Sequence, residues 1–242
     1  MPESANNLRH AHLVGLLTFT SGCVDVVTLM VIGGAFTSVI TGNLIFIGRA
    51  IGQQSLSPAV HAILAVAGYI AGVAVGSKLR QIFGWSAAKH DWPRAATLVL
   101  VVEWVILAAI NVAWICYRAA PPGLAIDVLL PSASLALGMQ GAAARGVKGN
   151  PSTTYMTGAL TTLVEALATG GRRTADTTAA VGLVGLIAGA ACSAVLVEHA
   201  ARVALLPPLV TLLLVIGIKG RHHRAEGPTA PAAEHAPPDV IG

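Results

Sequence analysis

Six stretches of this chain are apolar over the width of a lipid bilayer, and no other feature constrains its fold as much. A helix that crosses the hydrocarbon needs about 20 mostly apolar residues. Residues 13–33, 59–78, 96–117, 123–144, 177–197 and 200–219 meet that requirement. Asp127 and Pro131 interrupt the fourth stretch, and Pro207-Pro208 the last. Proline is tolerated in membrane helices where neighbours re-satisfy the freed backbone groups, so both are expected as kinked spans. Composition agrees: 11% of residues are charged, 55% are hydrophobic and the mean hydropathy is +0.72. A soluble domain carries about 25% charged residues, so this chain cannot coat a globular surface. The expected class is an all-α integral membrane protein whose first partner is the bilayer. A pI near 9.3 does not imply nucleic acid here, because the basic residues lie between apolar spans and act as topology signals.

Three cysteines, Cys23, Cys116 and Cys192, each fall inside an apolar span, which argues against a disulfide framework. Thr20-Ser21-Gly22-Cys23 loosely resembles a lipoprotein cleavage box. Thr20 fits it poorly and the apolar run continues well past Cys23, so residues 13–35 are expected to form an uncleaved first span.

Two shorter segments, 36–52 and 153–170, carry polar phrases between apolar runs: FTSVITGNLIF at 36–46 and STTYMTGALTT at 152–162. Each segment either crosses or dips in and returns. Full crossing of both would divide the Lys and Arg almost evenly between the two faces. With both re-entrant, every Lys and Arg except Arg49, Arg118 and Arg202 falls on one side. Positive charge in short loops prefers the cytoplasm. The expected arrangement is therefore six spans plus two re-entrant or broken-helix segments, with both termini cytoplasmic. Residues 1–220 would form one polytopic domain, and the Pro- and Ala-rich 221–242 a disordered cytoplasmic tail.

The second phrase lies on the first at a fixed offset of 116 residues: Gly22 meets Gly138, Gly33 meets Gly149, and Thr41-Gly42 meets Thr157-Gly158. With one inserted residue, Gly68, Gly72 and Gly76 match Gly185, Gly189 and Ser193. The same order of glycines and threonines points to an internal duplication, with halves at about 12–118 and 123–219. Three spans per half is odd, so the second half would be inverted. Inverted repeats are common in secondary transporters, whose sites lie at short, glycine-interrupted segments in matching positions.

Gly22-Cys23-Val24-Asp25, Gly33-Gly34-Ala35-Phe36-Thr37-Ser38 and Thr41-Gly42-Asn43 resemble the YoaK-like family of bacterial membrane proteins. Gly138-Met139-Gln140 and Tyr155-Met156-Thr157-Gly158 are similar to that family's matching block, and the resemblance covers roughly residues 12–219. It implies a multi-pass, transporter-like protein of unknown function and names no substrate. The chain departs from the pattern at Gly141, where the resemblance leads one to expect Asn.

The pathway residues expected are Asp25, Thr37, Thr41, Gly42, Asn43, Glu103, Gln140, Thr157 and Gly158. A carboxylate at a helix centre costs about 2.5–3.5 kcal/mol on insertion scales, so Asp25 needs a partner, a proton or a cation. It either serves a proton- or cation-linked site or accepts bonds from the broken helix nearby, for instance at Ser21 or Thr28. Glu103 either relays protons with Asp25, with Asn111 about two turns further along, or sits solvated near the interface. Gln140 and Asn43 can orient a substrate or tie broken helix ends together. Glu165 would pair with Arg172 or Arg173, and Asp127 would be interfacial. The Gly68-Gly72-Gly76 stripe suits close helix packing, between the halves or in a homo-oligomer. His61, His199 and His222-His223 show no metal-ligand spacing, and no nucleophile motif or phosphate-binding loop occurs. No enzyme activity and no cofactor are expected. The leading expectation is an inner-membrane transporter or channel for an unknown small molecule or ion. A non-transporting scaffold is the alternative, and an intramembrane enzyme ranks below both.

Overall fold

The computed structural model describes residues 2–55, 59–83, 92, 94–145, 156–170 and 174–225. Among them the chain is helical, with no strand. In order, the helices are α1 (Pro2–Val31), α2 (Ile40–Gly52), α3 (Val60–Ile82), α4 (Arg94–Cys116), α5 (Gly123–Arg145), α6 (Met156–Thr169), α7 (Thr174–Ala200) and α8 (Leu206–Ala225). Five helical segments are long and apolar enough to cross a bilayer: Ala11–Val31, Val60–Ile82, Arg94–Cys116, Gly123–Arg145 and Thr177–Val203. The sixth expected span becomes α8, which starts later than the sequence suggests. Helix α7 continues to Ala200, a short 3-10 turn Ala201–Val203 follows, and α8 begins at Leu206. Pro207 and Pro208 thus occupy the first turn of α8, where a missing N–H costs nothing, and do not kink a span. Helix α8 also runs on to Ala225, so residues 221–225 are helical where a disordered tail was expected. The remainder of that expected tail, and Lys89, Lys148, Arg172 and Arg173, lie outside the described residues.

The two short segments are helices of 13 and 14 residues, α2 and α6. At 1.5 Å per residue each is about 20 Å long, short of the roughly 30 Å hydrocarbon thickness. The start of α3 shows how the first is arranged. His61, on its first turn, bonds Gly33 just past the end of α1 (Nδ1 to O, 2.8 Å). Helix α3 therefore begins at the end of the bundle where α1 stops, and α2 leaves and returns on one side.

Helix directions follow from the close contacts. Along α1 and α7, Gly15 meets Val181, Gly189 meets Phe19, and the Cys23 thiol donates to the Gly189 carbonyl at 3.2 Å, so the two run parallel. Along α3 and α5, Gly68 meets Pro131, Gly72 meets Leu135 and Gly76 meets Met139, again parallel. These crossings pack backbone on backbone, with no room for a Cβ at Gly72 against Leu135 or at Gly189 against Phe19. Close approach of this kind is what small residues provide in a bilayer, where burying apolar surface between helices gains little over lipid. The Gly68-Gly72-Gly76 stripe is thus taken up by α5 of the same chain. The ends sort as well. Arg80 of α3 donates to Ala142 O near the end of α5, and Lys219 of α8 lies over the Trp92 ring just before α4. At the opposite end, the Trp114 indole donates to Ala201 O at 2.7 Å. Lys78, Arg80, Arg94, Arg145 and Lys219 therefore share one end, while Arg118 and Arg202 lie at the other.

The core follows from this packing. Leu17, Val24 and Val27 of α1, Leu100, Leu107 and Trp114 of α4, Leu130 and Leu137 of α5 and Leu212 of α8 form a single buried cluster. The outward faces remain apolar, as at Ile45, Ile70, Val105 and Ile187, which is the surface lipid requires.

Candidate functional site

Helix α1 ends at Val31, and two glycines with positive φ, Gly33 (+93°) and Gly34 (+67°), turn the chain back on itself. A side chain is strained in that conformation, so both positions call for glycine. The backbone then passes along α1 to re-enter a helix at Ile40. Asp25, more than a turn below the end of α1, receives it. Its Oδ1 accepts from Thr37 N (2.7 Å), Thr37 Oγ1 (2.7 Å) and Ser38 N (2.8 Å), and its Oδ2 accepts from Ser38 Oγ (2.5 Å). All three residues are buried. The carboxylate also sits at the N-terminal end of α2, where aligned peptide dipoles favour an anion. Four donors therefore take the place of part of the water that Asp25 gives up.

Asn43 completes the turn from inside α2. Its Oδ1 accepts from Phe36 N at 3.0 Å and its Nδ2 donates to Phe36 O at 2.6 Å. The N–H and C=O of one loop residue are both met by one fully buried amide, as an isolated backbone at membrane depth requires. Gly42 lets the Phe36 ring lie against the helix, with 3.0 Å left for an added Cβ. Of the expected pathway residues, the structure brings together Asp25, Thr37 and Asn43. Their bonds go to one another and to the loop. The bonds to Asp25 come from Thr37 and Ser38, whereas Ser21 and Thr28 bond carbonyls of their own helix. Ser38 was the member missed, and the polar pair Thr37-Ser38 ahead of a short apolar helix was its signal.

The other expected residues lie apart. Thr41 and Thr157 are exposed on the outer surfaces of α2 and α6, and Gly158 is half-buried, its carbonyl accepting from Thr162. Gln140 of α5 is buried and reaches α1, donating to Leu17 O (3.1 Å) and Ser21 Oγ (3.0 Å), while its Oε1 has no partner. Glu103 is fully buried on α4, and neither carboxyl oxygen has a hydrogen-bond partner. It is neither solvated at the interface nor bonded to Asp25. Asn111 Oδ1 and Ser134 Oγ are buried and unpartnered as well. Asp127, half-exposed near the start of α5, faces His61 (3.4 Å). Glu165 is exposed. A small cavity at the α1, α4, α5 and α8 contact is lined by Val24, Thr28, Leu107, Ile110, Ala133 and Pro208.

The family described as "Protein of unknown function (DUF1275)" matches residues 13–218. The chain belongs to that family. It is 33% identical over 158 residues to the UPF0700 transmembrane protein YoaK of Bacillus subtilis (strain 168), covering 63% of this chain and 65% of that protein. The match thus spans just under two thirds of the relative's length. The family limits run from the first turns of the apolar part of α1 to Ile218 within α8. No solved structure matches the chain.

Proposed function

We propose that the protein is a transporter or channel of the cytoplasmic membrane for a small molecule or ion, built from two inverted copies of one unit. The observation that carries this is the chain's return, after the turn at Gly33-Gly34, to a buried contact of Thr37 and Ser38 with Asp25 more than a turn inside the end of α1, followed by a short helix. Broken helices of that kind expose backbone dipoles at membrane depth, and transporters use them to meet substrates and ions. The duplication is supported by packing that repeats at the sequence offset. Gly22 abuts Leu186 and Ala190, and its counterpart Gly138 abuts Tyr69 and Val73, the counterparts of those two. Because α1 is parallel to α7 and antiparallel to α3, the second copy enters the membrane from the opposite face. The positive end of the bundle, with Lys78, Arg80, Arg94 and Arg145, is then cytoplasmic.

Asp25, Thr37, Ser38 and Asn43 hold the break in shape, and Glu103 is the ionisable group left free for coupling. The test is flux in proteoliposomes across panels of small metabolites and ions, with and without an imposed proton gradient. Saturable flux above protein-free vesicles supports transport. Its absence across the panel, with the protein shown folded, would leave the scaffold reading, which the internal satisfaction of Asp25 and Asn43 favours.

A further inference from the structure

Glu103 is a fully buried carboxyl with no hydrogen-bond partner on either oxygen. Asp25, by contrast, has four donors. A lone ionised carboxylate out of water is far more costly than a bonded one, and such a group binds a proton or a cation instead. Four charged groups of the bundle are engaged elsewhere. Asp25 is bonded by Thr37 and Ser38, Asp127 faces His61, Arg80 donates to Ala142 O, and Lys219 covers Trp92. No ion pair to Glu103 exists among the described residues.

Two further features lie along α4 beyond Glu103. Leu107 and Ile110 follow Glu103 on one stripe of α4 at i+4 and i+7, and both line the cavity that Ala133 closes from α5. One residue past Ile110, Asn111 Oδ1 is a buried polar atom without a partner. Buried polar groups are ordinarily bonded, so a second orphan on the same helix as Glu103 calls for water or a proton to meet it.

We propose that Glu103 is an intramembrane proton-binding site, exchanging its proton past Asn111 toward the end of the bundle where α4 finishes. The step is simple and balanced: the carboxylate takes one proton from water and returns it, with no other bond made or broken. This rests on the transport reading for its use, because a bound proton does work only if its site alternates between the two faces. The site itself can be tested without any flux.

The experiment is infrared difference spectroscopy on the full chain in liposomes, titrated with acid and base. The expected result is a protonated carboxylic-acid carbonyl band that shifts in heavy water and fades as the pH is raised. It should be absent in Glu103→Gln and present in Ser38→Ala, which perturbs the Asp25 cluster instead. Asn111→Leu should slow the band's response to a pH jump several-fold while leaving its amplitude unchanged. Glutamine has the shape of the neutral acid, so Glu103→Gln should fold, as circular dichroism would verify. A wild-type chain without the band, or a band retained in Glu103→Gln, would overturn the site. A band with no detectable flux leaves the site standing and counts against transport; flux without a band does the reverse.

Discussion

The two halves differ most at the positions that hold the chain's reversal in the first. In the first, the chain reverses after α1 and is held by Asp25 from one side and Asn43 from the other. At the same offset the second half has Gly141 in place of Asp25 and Ala159 in place of Asn43. Its α5 is buried at that level, and its α6 begins at Met156 without either polar brace. The packing glycines, by contrast, are kept in both halves, as at Gly72 and Gly189. Helix crossings that need close backbone approach constrain both halves, whereas bracing a reversal with a carboxylate is one option among several. The first half thus carries a charge-based brace whose counterparts the second half lacks in sequence, and the second half's own connection, 146–155, lies outside the described residues.

That contrast can be broken most forcefully at Asp25. Asp25→Ala leaves two backbone N–H groups and two hydroxyls of the loop without their acceptor; charge-assisted bonds contribute about 1.5–3 kcal/mol each and do not add fully. A loss of roughly 4 kcal/mol is expected in reversible denaturation in detergent or lipid. A loss under about 1 kcal/mol would mean the loop has other support. Next comes Gly72→Val, which places side-chain atoms against the Leu135 backbone and should cost about 3 kcal/mol, with Gly189→Val matching it if the crossings are equivalent. Unequal costs would undermine the equivalence of the two halves.

Asn43→Ala removes both partners of the Phe36 peptide, and about 2 kcal/mol is expected. Accessibility of cysteines placed at positions 41–44 would rise alongside if the loop opens. Thr157→Ala, on the exposed face of α6, should change stability by less than about 0.5 kcal/mol. A larger effect would give the second half a brace of its own. Finally, the orientation can be sharpened with single cysteines replacing Phe83 or Arg118 in a chain lacking Cys23, Cys116 and Cys192. An impermeant maleimide added to intact cells should label position 118 and spare 83.

Much of the fold is legible in the sequence because the bilayer allows few alternatives. An apolar run of spanning length must satisfy its own backbone, so helices were expected over nearly the residues where α1, α3, α4, α5 and α7 form. The boundary between α7 and α8 was misplaced because hydropathy does not register a 3-10 turn, and Pro207-Pro208 suit a helix start as well as a kink. At the candidate site, the sequence supplied Asp25 and the polar loop but not their union, since Ser21 and Thr28 were nearer in the chain than Thr37 and Ser38. Glu103 was read as solvated or relaying because neither burial nor the absence of partners can be seen in a periodic pattern.

The sequence by itself determined that this chain lives in a membrane as helices, that two short Thr-Gly segments interrupt it, and that glycines recur at matching places. Those follow from local rules: bilayer thickness, backbone hydrogen bonding and the size of a side chain. Only the tertiary structure decided that α1 lies against α7 and α3 against α5, that Asp25 is the brace of a reversal, and that Glu103 stands without a partner. Each of these depends on which residues distant in the chain come within hydrogen-bonding reach, and local pattern carries no such distance.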